Sequence, residues 1–317
     1  MWTSLQKLFQ KHVSERSVAA LHWMSDGCTL IVLSQDKLSL RCTFRRSLMF
    51  QNNDWLRPLQ KLLAELPPVQ QMTVTLAPEF YQLVQLDKPE VPENELKAAL
   101  RWQLKDLVSF EPGDMQFDYI DLPGAHQQQS RLQVVVSSQR MLRPLVHCLH
   151  SARVPVKTIL PEEWVLKNLL PAQTQPVLLL SQRVGQDLSI MILRAGRVCF
   201  SRRVRGLPSP EQLSLDSLHQ GYLDALSLEV QRSVDYFEGQ LKQAPVRQLV
   251  LAINTALQAD IAGFFRQLGF AEVQQLQFSQ WLPELDLQQQ AQFATSLAAA
   301  LEYESTAEQE VGYENAS

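Results

Sequence analysis

The sequence predicts an α/β protein of two related lobes, the first of which carries an inserted α+β module. Three observations carry that expectation. Groups of short, β-branched, alternating runs are each followed by a single helical pattern, and this happens once in each half of the 317 residues. The stretch Val177 to Val204 reads as a meander of three strands whose tight turns are marked by Gly185 and Gly196, since glycine supplies the positive φ such turns need. A further set of strands and helices, at about residues 78–155, interrupts the pattern of the first half. The expected division is a first lobe over residues 1–171 with that insertion, a second lobe over 172–303, and a disordered acidic tail over 304–317.

Element by element, Ser17–Ser34 and Leu38–Leu48 alternate in the manner of paired strands, joined at Gln35-Asp36. A helix is expected over Asp54–Leu66, stopped by Pro67-Pro68. Met72–Leu76 and Tyr81–Leu86 read as strands, and Pro89–Pro92 as a rigid link. Pro92, Glu93 and Glu95 suit the start of a helix whose apolar stripe is Leu96, Leu100, Leu104, Leu107 and Val108. Met115–Leu122 and Leu132–Ser137 are strands around a Gln-rich loop, Gly124–Ser130. Ser138 can cap a helix in which Pro144 is tolerable only in the first turn. A strand over Val154–Leu160 and a helix from Pro161 to Leu170 lead into the meander. The longest helix is expected at Leu218–Leu241, followed by a strand at Arg247–Ile253, a helix at Ala256–Leu268 closed by Gly269, a strand at Ala271–Leu276 and an alanine-rich helix at Gln288–Leu301. From Glu302 onward there are five glutamates and no basic residue.

Composition removes several functions. A 45% hydrophobic content supports proper cores, and a net charge of −4 with scattered Lys and Arg gives no footprint for nucleic acid. No apolar run approaches the ~20 residues that span a bilayer. The opening residues lack the apolar core of a signal peptide, so a cytosolic location is expected. Cys28, Cys42, Cys148 and Cys199 are far apart and read as buried thiols. His147 and His150 share a helical face, but no third ligand stands nearby, so no metal site is expected. No phosphate loop, dinucleotide turn or nucleophile elbow occurs.

Four segments then carry a resemblance. They are Glu93 to Gln103 with Phe110-Glu111-Pro112 and Phe117-Asp118-Tyr119, Val134 through Leu149 to Leu160, Leu193 to Arg202, and Leu228 to Phe237. The last reads Glu229-x-x-Arg232-Ser233 followed by aromatic residues. Together, in order over roughly residues 15–300, they resemble the PilM family of type IV pilus assembly proteins, in the short form of mannose-sensitive haemagglutinin (MSHA) pilus systems. The resemblance implies a two-lobed, FtsA-related actin-like plan.

It also implies positions for nucleotide, and these depart from the family's pattern. Where the family has Asp-x-Gly in its first hairpin, this chain has His22 and Met24; in the second hairpin the matching region is Ser181 to Gly185; and the glycine cluster that lies against the purine is replaced by Ile253-Asn254-Thr255. A β-branched residue there is expected to fill the space of the base. A buried triphosphate would thus meet neither metal nor open backbone, a cost of several kcal/mol. No catalytic residue, cofactor or metal is therefore expected, with ATP and Mg bound weakly or not at all. Glu229, Arg232 and Ser233 are a possible remnant of a nucleoside site, against the plainer reading of an ion pair along a solvated helix face.

The function so implied is a non-catalytic adaptor at the inner face of the bacterial inner membrane. By resemblance it docks the N-terminal segment of a PilN-like (MshJ-like) membrane protein between the first lobe and the insertion, and it stands near a secretion ATPase. Arg101 and Trp102 are the candidate groove or subdomain-edge residues, with packing between helix and sheet as the plain alternative for Trp102. Trp2, Leu5, Leu8 and Phe9, with Lys7 and Lys11, could touch anionic lipid at most peripherally, or merely cover the domain edge. The competing functions are an active actin-like ATPase and a kinase-like enzyme on the same frame.

Overall fold

The computed structural model describes residues 16–36, 39–52, 54–122 and 130–302. The N-terminal amphipathic segment, nearly all of the Gln-rich loop and the tail 304–317 lie outside the described residues.

Two five-stranded sheets of the same construction make the two lobes. In the first, β1 (Arg16–Trp23), β2 (Gly27–Asp36) and β3 (Ser39–Met49) form an antiparallel meander. Helix α1 (Leu56–Ala64) then leads to β4 (Gln71–Leu76), which lies parallel to β1. β8 (Val156–Pro161) adds parallel to β4, giving the order β3-β2-β1-β4-β8. The second lobe repeats this with β9 (Val177–Gln182), β10 (Leu188–Arg194), β11 (Arg197–Val204), β12 (Gln248–Ile253) and β13 (Glu272–Gln275), in the order β11-β10-β9-β12-β13. Between β4 and β8 sits the insertion, a sheet of β5 (Tyr81–Asp87), β7 (Arg131–Ser138) and β6 (Met115–Leu122) in the order β5-β7-β6. It is covered by α2 (Glu93–Leu104), whose Leu96, Leu100 and Leu104 pack on Phe117, Leu132, Val134 and Val136.

Several expectations need correction. Ser17–Ser34 is two strands, because Ser25-Asp26 turns the chain and the Met24 N–H closes on Gly27 O at 2.9 Å. Pro144 lies in the second turn of α3 (Gln139–Ser151), where it removes the bond to the Arg140 carbonyl; Ser138 caps that helix as expected. The helix after Pro161 is one α-turn set, α4 (Glu162–Leu166), followed by a tighter turn at Lys167–Leu169. The long helix is broken inside Leu218–Tyr222, where Gly221 takes φ 125°, an angle L side chains rarely adopt, and regular helix runs only as α5 (Leu223–Asp235). After α6 (Gln258–Gln267), the last helix is split at Phe293 into α7 (Leu287–Gln292) and helical residues 294–302. Glu302 belongs to that helix rather than to a tail: its carboxylate accepts from Asn168 Nδ2 at 2.6 Å and lies 3.5 Å from Lys167 Nζ.

The seam between the lobes is apolar over most of its area. Val18, Ala20, Ile31 and Leu33 from the first sheet and Leu179, Met191, Leu193 and Val250 from the second pack with Val165 and Leu166 of α4 and with Leu297, Ala298 and Leu301. That burial joins the two lobes through one core. At one end of the seam the core gives way to charge.

Candidate functional site

That charged end holds His22 and Met24, two of the positions at which the resemblance expects a nucleotide site. β8 ends at Pro161, so α4 begins at once and its first-turn acids, Glu162 and Glu163, point into the seam instead of toward water, 5% and 2% exposed. The second lobe answers with two guanidinium groups, Arg183 just after β9 and Arg203 on β11. Arg203 Nη2 donates to Glu162 Oε1 and to Glu163 Oε1 at 2.7 Å each, and its Nε to Glu163 Oε1 at 3.0 Å. Arg183 Nη2 donates to Glu162 Oε2 at 2.9 Å, and its Nη1 reaches Met24 Sδ at 3.1 Å. The Tyr81 hydroxyl, from the insertion, donates to Glu163 Oε2.

Two buried carboxylates and two partly buried guanidinium groups are thus paired at this end of the seam, bonded from both lobes and the insertion. Burial works against ionisation of Glu162, but Arg183, the His22 contact and Arg203 outweigh it and hold the carboxyl below the usual range. Burial pushes Glu163 up, opposed by Arg203 and reinforced by Glu162. Burial, then the Glu163 and Glu162 charges, raise the Tyr81 hydroxyl well above its ordinary value. His22 lies 3.4 Å from Glu162 Oε2, yet neither ring nitrogen makes a hydrogen bond within the protein; burial and the Arg183 charge keep the imidazole neutral.

The structure brings His22 and Met24 to this cluster and leaves the other predicted positions beside it. Ser181 pairs with Ser189 inside the β9–β10 hairpin. Gly185 holds φ 70° in the turn, with its N–H on Ser209 Oγ at 2.9 Å. Ile253 is fully buried in the second lobe's own core with Leu180, Leu251 and Ile261, so its side chain is not what fills the cleft. The Asn254 N–H bonds Gln182 O at 2.9 Å. Glu229, Arg232 and Ser233 brace a β-strand: Glu229 Oε2 and Ser233 Oγ accept from Arg202 at 2.7 and 2.9 Å, while Arg232 pairs with Glu229 Oε1 at 2.6 Å. The Arg202 bond, then the Arg202 and Arg232 charges, hold the Glu229 carboxyl low.

Two hollows flank the cluster. One, of about 990 Å³, opens on the cluster itself, with Tyr81, Glu163 and Arg203 in its wall beside Ser25 and Gln186-Asp187 from the turns of the two hairpins; its arginines 202, 203 and 205 all have carboxylate partners. The other, of about 790 Å³, is the groove between the first lobe and the insertion. β8 supplies Thr158 to Pro161, β6 supplies Gln116 to Asp118, and α3 supplies Leu142, Arg143, Val146, His147 and His150. Arg101 and Trp102 do not line this groove. Arg101 donates to the Pro112 and Met115 carbonyls and stacks 5.1 Å from the Phe117 ring centre, fastening α2 to its sheet. Trp102 is 70% exposed under Lys105, whose Nζ is 3.4 Å from the ring centre, so it is neither groove wall nor interior packing. Lys97, one turn earlier, is the α2 residue that reaches the groove. Among the described residues no set of three His, Cys, Asp or Glu side chains could hold a metal ion, and no helix is long and apolar enough to cross a membrane.

No family model matches the sequence, and no curated protein matches it. Solved structures do. The "PilM-PilN type IV pilus biogenesis complex" superposes with a TM-score of 0.67 at 15% identity, over 90% of this chain and 98% of that one. The fold is actin-like. The cytoplasmic domain of EpsL, an inner-membrane component of the type II secretion system of Vibrio cholerae, gives a TM-score of 0.48 at 13% identity over 75% of this chain and 82% of that one. A Bacteroides thetaiotaomicron protein with an actin-like ATPase fold gives 0.48 at 10% identity over 89% and 96%.

Proposed function

We propose that this chain is a non-catalytic cytoplasmic adaptor of a type IV pilus inner-membrane assembly complex, nearest in kind to MshI of MSHA systems. In this reading it docks the N-terminal segment of a PilN-like, MshJ-like membrane protein in the groove between the first lobe and the insertion, and links that protein to a secretion ATPase. The observation that carries the reading is the paired charge of the cleft: Glu162 and Glu163 already satisfy Arg183 and Arg203 where a nucleotide's phosphates would need cations. A triphosphate entering there would have to displace two buried carboxylates and leave them without partners, which costs several kcal/mol. The neighbouring groove, by contrast, is open and partly apolar, the character of a peptide-docking surface.

Two measurements on the full chain test it. With magnesium, ATP turnover stays at the no-protein background and a fluorescent ATP analogue shows no saturable binding at micromolar concentration; stoichiometric binding overturns the non-catalytic reading. The N-terminal segment of the PilN-like protein binds with a Kd that Val146→Glu weakens at least tenfold, because Val146 is 43% exposed in the groove wall. An unchanged Kd overturns the docking site.

A further inference from the structure

We infer that the end of the molecule opposite the buried ion cluster is a docking surface for an anionic lipid bilayer. The inference does not depend on the partner assigned above, because it concerns a different face and a different class of surface.

The fold gathers at that end cations that the sequence scatters. β1 ends at Trp23, between His22 and Met24 of the cluster, and β9 ends just before Arg183, so both strands run toward the cluster and both begin at the far end of the seam. Their eight and six residues put about 20–26 Å between the two ends. Register then places the other elements. Arg41 pairs with Ser34, which pairs with Ser17 at the start of β1. Arg194 and Arg197 close the β10–β11 hairpin one residue beyond the Leu193–Val177 pair. Lys242 and Arg247 precede Gln248, which also pairs with Val177. Arg153 precedes β8, whose Val156 pairs with Met72 near the start of β4. All six side chains are exposed.

These cations lack counterions. None of the six forms an ion pair among the described residues, and Arg194 donates to neutral acceptors, the Thr174 carbonyl and Gln243 Oε1. Of the acids at this end, Glu302 is matched by Lys167, Glu238 accepts from the Val246 N–H, and Glu272 is exposed beside the start of β12. Asp36 and Lys37, adjacent where β2 ends, offset each other. The cluster end has the opposite character, since Arg183, Arg203 and Arg205 all face carboxylates there. In a chain whose net charge is −4, one end is therefore cationic.

Shape and chemistry choose the occupant. The six groups come from both lobes and from outer as well as central strands, so they form a broad array. A hollow at this end, between Lys167 and the Arg194–Gly196 turn, measures only about 10 Å³ and receives no chain. A broad array of cations fits a continuous layer of phosphates, and each adds about fivefold to binding at an anionic membrane surface. A second copy presenting the same end would be repelled. Apolar side chains favour lipid over nucleic acid: Leu268, at the end of α6, is 54% exposed here. The residues that join β1 at this end also include Trp2, Leu5, Leu8 and Phe9 among Lys7 and Lys11.

The test is co-sedimentation of the full chain with vesicles of equal parts phosphatidylglycerol and phosphatidylcholine, against vesicles of phosphatidylcholine alone. Binding is expected on the first and not on the second, and it should vanish toward about 1 M salt, where the screening length is about 3 Å. Arg41→Glu combined with Arg197→Glu, one from each lobe, is expected to weaken it at least tenfold. Lys105→Glu combined with Arg140→Glu makes the same change in net charge away from this end, and is expected to leave it within twofold. Equal loss in the two double variants, or a Kd within twofold for the first, overturns the inference. Duplex DNA that binds the wild type when vesicles do not also overturns it. Residues 303–317 carry four glutamates and no cation, and they follow Glu302 at this same end. If vesicles bind only after those four are replaced by glutamine, the chain's own acids occupy the surface and the lipid assignment falls.

Discussion

At the scale of single residues, the buried cluster is a set of charges whose value lies in completeness. Removing one partner leaves the others dry and uncompensated. Arg203→Met strands Glu163 and half of Glu162, and is expected to cost about 3–5 kcal/mol in urea denaturation. Replacing Glu163 by Met in the same chain should recover a large part of that, since an apolar pair has no desolvation to offset. The pH dependence has a sign. The folded-state pKa of His22 is depressed below 6.5, so the unfolded chain binds the extra proton and stability must fall as pH drops through that value. The His22 contribution should therefore weaken the wild type as pH falls below about 6.5, and His22→Gln should lose that part of the slope. The depressed Glu162 removes stability as pH falls below about 4.5, whereas the raised Glu163 adds stability as pH falls toward about 4.5 from above, within the His22 range, so the difference between wild type and His22→Gln is what isolates the histidine. Of this site the sequence exposed the losses and hid the replacement. His22 and Met24 were visible as departures from a pattern. Glu162 and Glu163 follow a proline, where acids ordinarily favour a helix start facing water, and nothing local tells that both would turn inward to meet arginines from 20 to 40 positions away.

Individual elements were legible wherever local chemistry dominates. The two glycine turns of the second meander, the Ser138 cap and the stripe of α2 all follow from backbone conformation and burial periodicity. Elements were misread where a competing constraint acted: Ser25-Asp26 hid a strand boundary inside one alternating run, and Gly221 broke a helix whose apolar spacing continued across it. With that boundary, the first lobe's three-strand meander matches the second's, as the pattern of two related lobes requires. Gly27 shows why β2 begins where it does. A Cβ at that position would stand 2.3 Å from the Leu48 carbonyl oxygen, a backbone atom held in the β2–β3 ladder. Gly27→Ala should therefore force β3 away from β2 and cost about 1–3 kcal/mol in a thermal or urea melt, with far-UV circular dichroism unchanged at low temperature. An alanine variant as stable as wild type would mean that the β3 edge yields freely.

For the whole molecule the question is whether two lobes behave as one body. The seam holds a shared apolar core, capped at one end by the ion cluster and lined by helical residues 294–302. Leu297 is fully buried against both sheets, whereas Leu226 is fully buried within the second lobe alone. Truncating either to alanine should cost about 2–5 kcal/mol. If the lobes fold independently, Leu226→Ala would shift only one of two transitions. A common core predicts otherwise: both variants should lower a single transition, seen at the same temperature by near-UV circular dichroism and by calorimetry. A split melt in either variant would show that the seam does not couple the lobes. It would also weaken the case for a fixed scaffold, because the insertion is held to the first lobe by the Tyr81–Glu163 and Trp164–Gln133 bonds and to the second by Gln133–Ser201, so a groove built from β6, β8 and α3 keeps its shape best when all three parts stay together.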